Sequence, residues 1–279
     1  MHRFVPIETL HANANSACKI KLCKDNETKS EVVMKVYNIE SLQRIKNYSN
    51  VNGKMISTNG IQAVKCELQT LRSLNHQSCV NLIHYGEENG KIKLVFPRYR
   101  SGHIMQPVGC LSYHPRVPGL SNDSTLTALV RELRSAITYI HSLNMIHLDI
   151  KPDNILHDSS RGFALSDFGS ARTVDEAGCT RESPATLAFF PPELCQNNSP
   201  DFILNGFKAD LFAFGLTVWC CLFNAFPYRL STEDNICELL ERIAEWDVRY
   251  SDLSTISNET GKTLKTLLAK NPHKRNFRQ

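Results

Sequence analysis

Two polar segments joined by a hairpin-like stretch constrain this chain more than anything else in it. The run His147-Leu-Asp-Ile-Lys-Pro-Asp-Asn154 leads into the apolar pair Ile155-Leu156, a turn over residues 158–162, and then Leu165-Ser-Asp-Phe-Gly169. A hairpin folds the chain back on itself, so any structure that contains this one carries Asp167 back toward Asp149 and Asn154. Two unrelated polar loops would have no reason to show both patterns in this order at this spacing.

The residue types suit phosphoryl transfer from ATP. Such a reaction needs cations that neutralise phosphate oxygens, and hard Mg²⁺ (or Mn²⁺) prefers carboxylate and amide oxygens as ligands. Asp167 and Asn154 supply one of each. The acceptor hydroxyl must be aligned and must lose its proton, which calls for a carboxylate near the metal ligands, and Asp149 is the candidate. Lys151, two residues on, puts an ammonium where it offsets charge developing on the moving γ-phosphoryl.

Upstream, residues 7–97 read as strands. Ile20-Lys-Leu-Cys23, Glu31-Val-Val-Met-Lys-Val-Tyr37 and Lys91-Ile-Lys-Leu-Val-Phe96 are short apolar or alternating runs between polar turns. The turn Glu88-Asn89-Gly90, between Leu82-Ile-His-Tyr85 and Lys91, is a hairpin signal. One helix interrupts them: Ile61, Val64, Leu68 and Leu71 recur at helical spacing with Glu67 on the same face, and an inward carboxylate needs a partner. Beyond residue 102 the pattern turns helical. Leu126, Leu129, Val130, Leu133, Ile137 and Ile140 form one helix with Ser124 as its expected N-cap, and further helices are expected over residues 208–223, 232–246 and 261–270. Residues 43–60 and 102–123 are polar, weakly patterned and expected to be surface loops or insertions.

At these residues the chain resembles the eukaryotic protein serine/threonine kinase family, over about residues 5–275. The resemblance implies an α+β, bilobal protein kinase fold: an N-lobe over residues 5–97, rich in β-structure with one helix, a hinge at 98–102, and a mainly helical C-lobe over 103–279, with ATP between the lobes. It further implies that Lys35 of Val32-Val-Met-Lys35 contacts the α- and β-phosphates and that Glu67 pairs with it. A lysine in a strand is otherwise ordinarily a solvated surface residue. Ile20, the bulky Phe96, the Pro97 carbonyl and the Tyr99 N–H would contact the nucleotide. Thr186-Leu-Ala-Phe-Phe-Pro-Pro-Glu193 resembles the end of an activation segment, so that Glu193 pairs with Arg275, and Asp210 accepts backbone hydrogen bonds from the catalytic loop. ATP and a protein with a Ser or Thr acceptor are the implied partners. Within the family, residues 94–102, 149–154 and 211–227 look most like the calcium/calmodulin-dependent protein kinase kinases and their relatives, which also carry an insertion before the helix that bears the glutamate.

Three places depart from the family pattern. The phosphate-covering loop reads Asn13-Ala-Asn-Ser-Ala-Cys18, with no glycine at Asn13, Asn15 or Cys18, so weaker ATP binding is expected. Leu148 stands where many kinases place the arginine that clamps a phosphorylated activation loop. Pro97 offers a carbonyl to the hinge but no N–H. The competing reading is a pseudokinase scaffold, motivated by the missing glycines; a small-molecule kinase is disfavoured by the segment 186–193.

Composition excludes more than it assigns. A net charge of +4 without a run of Lys/Arg gives no case for nucleic acid. The expected apolar stretch at residues 212–223 is too short to cross a membrane, and residues 1–10 lack a signal pattern. Ten scattered cysteines with no C-x-x-C pair read as reduced, mostly buried thiols in a cytoplasmic protein. The sequence ends at Gln279, just past Arg275, so calmodulin is not an expected partner of this chain.

Overall fold

Period-two alternation in the first part of the chain lays down an antiparallel sheet. The computed structural model describes residues 3–12, 17–51, 54–108, 112–197, 199, 201–228, 235–247, 253 and 258–277. It divides into two units, Met1–Arg100 and Ser101–Gln279. The first runs β1 (Phe4–Ala12), β2 (Cys18–Asp25), β3 (Glu31–Asn38), α1 (Ile39–Arg44), β4 (Lys46–Val51), β5 (Lys54–Asn59), α2 (Gly60–Ser73), β6 (His84–Glu88) and β7 (Lys91–Pro97). Its main sheet has the order β1-β2-β3-β7-β6. Asn89 and Gly90, with φ of 50° and 68°, close the β6–β7 hairpin in the left-handed geometry that a tight two-residue turn requires.

Helix α2 buries Val64, Glu67, Leu68 and Leu71 on one stripe, as the spacing predicts, and Asn59 caps it by accepting the Gln62 N–H at 3.0 Å. Residues 43–60, expected as a loop, hold the end of α1 and the paired strands β4 and β5. Their sequences are polar on both faces, so no alternation betrays them.

The second unit runs β8 (Gly102–His103), β9 (Met105–Val108), β10 (Ser112–Pro115), α3 (Asp123–Ser142), β11 (Met145–Ile146), β12 (Ile155–Asp158), β13 (Gly162–Leu165), β14 (Arg172–Thr173), β15 (Cys179–Thr180), α4 (Pro192–Cys195), β16 (Leu204–Asn205), α5 (Gly206–Phe223), α6 (Ile236–Glu245) and α7 (Asn258–Leu267). The expected loop at 102–123 thus contains three short strands, too brief to show a period. The N-cap of α3 is Asn122, not Ser124, which lies inside the helix. Helix α5 starts earlier than its apolar run, because Asn205 accepts the Lys208 N–H at 3.0 Å. The Asn235–Glu238 capping box starts α6 after residue 232, and α7 lies a few residues N-terminal to its expected position.

Helix α5 is apolar all round and fills the core of its unit, with Phe212, Phe214, Leu216 and Val218 fully buried. By length and composition it is the one helix among the described residues that could cross a membrane, where the sequence reading had the stretch too short; 78% of it is buried within the fold. Among the described cysteines Cys23, Cys79, Cys220 and Cys221 are buried, whereas Cys66, Cys179 and Cys237 are exposed, so the thiols are not mostly buried. Cys110 lies outside the described residues. Burial pushes the Cys79 thiol up to about 12.

Candidate active site

In the first unit, strand β3 presents Lys35 and helix α2 presents Glu67. Lys35 Nζ donates to Glu67 Oε1 at 3.2 Å, and the Tyr37 hydroxyl donates to Oε2 at 3.2 Å. The inward carboxylate of the apolar stripe therefore has its partner. Lys35 remains 22% exposed while Glu67 is only 7% exposed, so the pair opens to solvent on the lysine side. The Phe96 ring lies 5.8 Å from the ammonium. Phe96 and Tyr99 are buried, Ile20 is half-buried opposite Lys35, and Pro97 ends β7 opposite Val32. Residues 13–16 of the glycine-less loop lie outside the described residues; Cys18 opens β2, half-buried and opposite Tyr37.

In the second unit, residues 147–154 are built around Asp210 at the start of α5. Asp210 is 1% exposed and accepts the His147 N–H at 2.8 Å and the Leu148 N–H at 2.9 Å, with His141 Nε2 at 2.9 Å. A buried carboxylate is tolerated only when so paired. Those bonds hold Leu148 at φ 61°, a conformation that costs a non-glycine residue about 1–2 kcal/mol. The His147 ring is fixed between Ser166 O, 3.0 Å from Nε2, and the Asp149 N–H, which donates to Nδ1 at 3.2 Å.

This scaffold aims Asp149 at a cluster of donors. Asn154 Nδ2 donates to Asp149 Oδ2 and to its backbone carbonyl, both at 2.8 Å. The Thr186 hydroxyl donates to Asp149 Oδ1 at 2.6 Å. Lys151 Nζ lies 3.0 Å from Asp149 Oδ2 and donates to Thr186 Oγ1 at 2.8 Å. Thr186 is the member that sequence reading missed as a site residue: it opens the segment 186–193, but nothing local shows that it reaches the catalytic loop. Asp153 is a second such case, since its Oδ2 accepts the Tyr113 hydroxyl at 3.1 Å. Burial, then the Asp153 carboxylate, push the Tyr113 phenol well up.

The β12–β13 hairpin forms as expected, and its two ends carry Asn154 and Asp167. Ser166 N–H donates to Asn154 O at 2.8 Å, which fixes the two ends together. Glu132 of α3 braces the turn by accepting the Phe163 N–H at 2.7 Å. Asp167 is exposed, with φ 59°. Because both Nδ2 hydrogens of Asn154 go to Asp149, its Oδ1 is the atom left for a cation. A carboxylate and an amide oxygen fit the preference of Mg²⁺, which takes few protein ligands and shares the rest with phosphates and water.

The far end of the unit is closed by Arg275. Its Nη1 and Nη2 each donate to Glu193 at 2.7 Å, and its remaining donors reach the carbonyls of Ala269, Lys208 and Lys270. The expected Glu193–Arg275 pairing is present, with the arginine fully buried.

Residues 16–277 match the protein kinase domain family. Among curated proteins, SNF1-activating kinase 1 of Saccharomyces cerevisiae is 26% identical over 92% of this chain and 26% of its own length. Serine/threonine-protein kinase STK11 of Gallus gallus is 29% identical over 90% of this chain and 51% of its own length. CBL-interacting serine/threonine-protein kinase 15 of Arabidopsis thaliana is 26% identical over 77% of this chain and 48% of its own. The chain thus spans between about a quarter and a half of these relatives. All are named as kinases, which lends the pseudokinase reading no support. With the two-unit α+β architecture above, the match makes the chain a member of the protein kinase family, a kinase domain of the serine/threonine type.

Proposed function

We propose that this chain transfers the γ-phosphoryl group of ATP to a serine or threonine hydroxyl of a protein. The observation that carries the reading is the Asp149 carboxylate, held by Asn154, Lys151 and Thr186 on a loop locked to Asp210. In the reaction the acceptor oxygen bonds to phosphorus, the bond from phosphorus to the ADP oxygen breaks, and Asp149 aligns the hydroxyl and takes its proton. Lys151 offsets charge on the moving group. Lys35, oriented by Glu67, holds the α- and β-phosphates. Ile20, Phe96 and the backbone of Pro97 and Tyr99 would receive the adenine. Asp167 and Asn154 would hold Mg²⁺ or Mn²⁺, which neutralises phosphate oxygens when bound.

Within the family we infer the calcium/calmodulin-dependent protein kinase kinase-like group, on residues 94–102, 149–154 and 211–227 and on the β4–β5 hairpin standing where that group has its insertion. A cytoplasmic location belongs to the same reading, supported by the free thiols. The test is radiolabelled ATP with generic protein substrates and Mg²⁺ or Mn²⁺, comparing the chain with Asp167→Asn. Metal-dependent label on Ser/Thr, lost in the variant, is expected; equal label in both would overturn the assignment.

A further inference from the structure

The main sheet has a face that phosphoryl transfer does not use. Strand register puts Lys35 and Leu94 on the side of α2, and Met34, Val36, Lys93 and Val95 on the other. This second face is curled. Phe4 of β1 and His84 of β6 belong to opposite edges of the sheet, yet their ring centroids lie 5.2 Å apart. The edges therefore meet across the face at one end and leave a trough of about 600 Å³ beside them. That volume falls in the range of roughly 300–1,000 Å³ typical of ligand sites.

The trough has an apolar floor and a basic rim. Met34, Val36, Val95 and Phe4 line the floor, and Met34 and Val95 continue into a buried cluster with Cys23 and Val32 on the same face. Alternation along β2 and β7 places Lys19, Lys21, Lys91 and Lys93 on this face, the last three lining the trough, and β6 adds two carboxylates to the lining: Glu88, opposite Lys91, and Glu87, which accepts the Tyr85 hydroxyl at 3.1 Å. Glu88 is paired with Lys93. At the closed end, Arg3 is matched by Asp25 and Glu27. The positive field reaches the floor: Lys21 and Lys93 pull the Cys23 thiol down, against the larger upward push of burial.

We propose that this trough is a docking site for an acidic, extended segment of a partner protein, with one bulky apolar side chain seated on Met34, Val36 and Phe4 and flanking carboxylates on Lys19, Lys21 and Lys91. A strongly charged polymer such as nucleic acid would use the lysines and leave the apolar floor idle. A lipid surface would need a convex face rather than a concave one. The site lies on the side of the sheet away from Lys35 and Glu67, so it recruits a protein without touching the phosphate-binding pair.

The test uses fluorescein-labelled short peptides with a central Phe or Leu among Asp and Glu, read by anisotropy against the full chain. Saturable binding is expected, weakened roughly tenfold or more in Lys21→Glu/Lys91→Glu because both attraction and approach are reversed. Lys91 is exposed and Lys21 half-buried, so circular dichroism and unchanged phosphorylation of a generic substrate verify that the variant folds, and Lys91→Glu alone, at the exposed position, should weaken binding in the same direction. Amide NMR shifts should map to β2, β3 and β7. Failure of the peptides to bind, equal binding by the double variant, equal binding of an Asp/Glu peptide without the apolar centre, or capture by phosphatidylserine vesicles but not by peptide would each overturn the proposal.

Discussion

The two arginine- or lysine-to-glutamate pairs that sequence reading anticipated are built for opposite ends. Arg275 is sealed from water, and each of its guanidinium hydrogens reaches Glu193 or a backbone carbonyl. Lys35 touches its glutamate through a single longer contact and keeps one side exposed. A bidentate pair whose arginine is sealed from water and has every donor engaged has no donor left for a ligand and acts as a rivet. The Lys35 ammonium, by contrast, stays open to solvent on one side, where the proposed phosphate contact would reach it. Both were legible as pairs; their division of labour came only from burial and hydrogen-bond geometry.

The sharpest break of this contrast is Arg275→Met. It strands the Glu193 carboxylate and frees the carbonyls of Ala269, Lys208 and Lys270, so the second unit should lose about 3–5 kcal/mol. Urea unfolding followed through Trp219 and Trp246, which pack 5.9 Å apart in that unit, measures it. Lys35→Met leaves Glu67 with the Tyr37 hydroxyl. Its loss of stability should be clearly smaller than that of Arg275→Met, while phosphoryl transfer falls by roughly 10²-fold or more as a phosphate contact disappears. If the two variants lost stability equally, the division would be wrong. Asp149→Asn should match the activity loss of Lys35→Met, by roughly 10²-fold or more in kcat, because alignment and proton acceptance go together.

A third pair sharpens the comparison through pH. Arg3, by its hydrogen bonds, holds the Asp25 carboxylate down at about 2 from the usual 3.8. A lowered carboxylate contributes stability above its unfolded value, and that contribution is lost as pH falls from near 4 toward 2. In Arg3→Ala the Asp25 carboxyl should titrate higher, which NMR titration of the side chain reads directly. No shift would mean that the Glu27 N–H and the Thr28 hydroxyl set it without Arg3.

What the sequence displayed was whatever is local and periodic. The hairpin carrying Asn154 and Asp167, the stripe of α2 and the core helix α5 all announce themselves through spacing. The strands β4 and β5 did not, because polar residues on both faces leave no period to read. Thr186 and Tyr113 escaped for another reason: each meets the catalytic loop across tens of residues, and a lone hydroxyl carries no sign of its partner. The charged face around Lys21 and Lys91 was likewise visible only once register had placed scattered lysines on one side.

Cys18→Gly should have a milder effect, a severalfold fall in the KM for ATP, because glycine allows closer backbone approach to phosphates. Cys18 opens β2 opposite Tyr37 and beside the glycine-less loop. Initial rates across ATP concentrations decide it; an unchanged or raised KM would show a loop adapted to its present residues.

The smallest effect is expected from phosphorylation of the segment between Gly169 and Thr186, whose candidate acceptors are Ser170, Thr173, Thr180 and Ser183. A phosphate orders such a segment when a cation on the catalytic loop receives it, and charge-assisted bonds of that kind are worth about 1.5–3 kcal/mol. Leu148 cannot supply one. Instead, backbone bonds already tie the segment down. β14 pairs with β11, Val174 N–H donates to Asn144 O at 2.8 Å, β15 pairs with β16, and Ala185 N–H donates to Leu148 O at 2.9 Å. Gly178 turns beneath them at φ 74°, where an added Cβ would meet the Phe207 ring at 2.4 Å. Arg181 is engaged with Asp201, and Arg172 donates to carbonyls of its own segment, so neither anchors the segment to the catalytic loop. Phosphatase-treated and untreated protein, and Thr180→Ala with Ser183→Ala, should therefore differ little in initial rate. A drop of about tenfold or more, the lower end of what one charge-assisted bond is worth, would mean that the backbone ties are not sufficient and that a cation elsewhere in the fold completes the clamp.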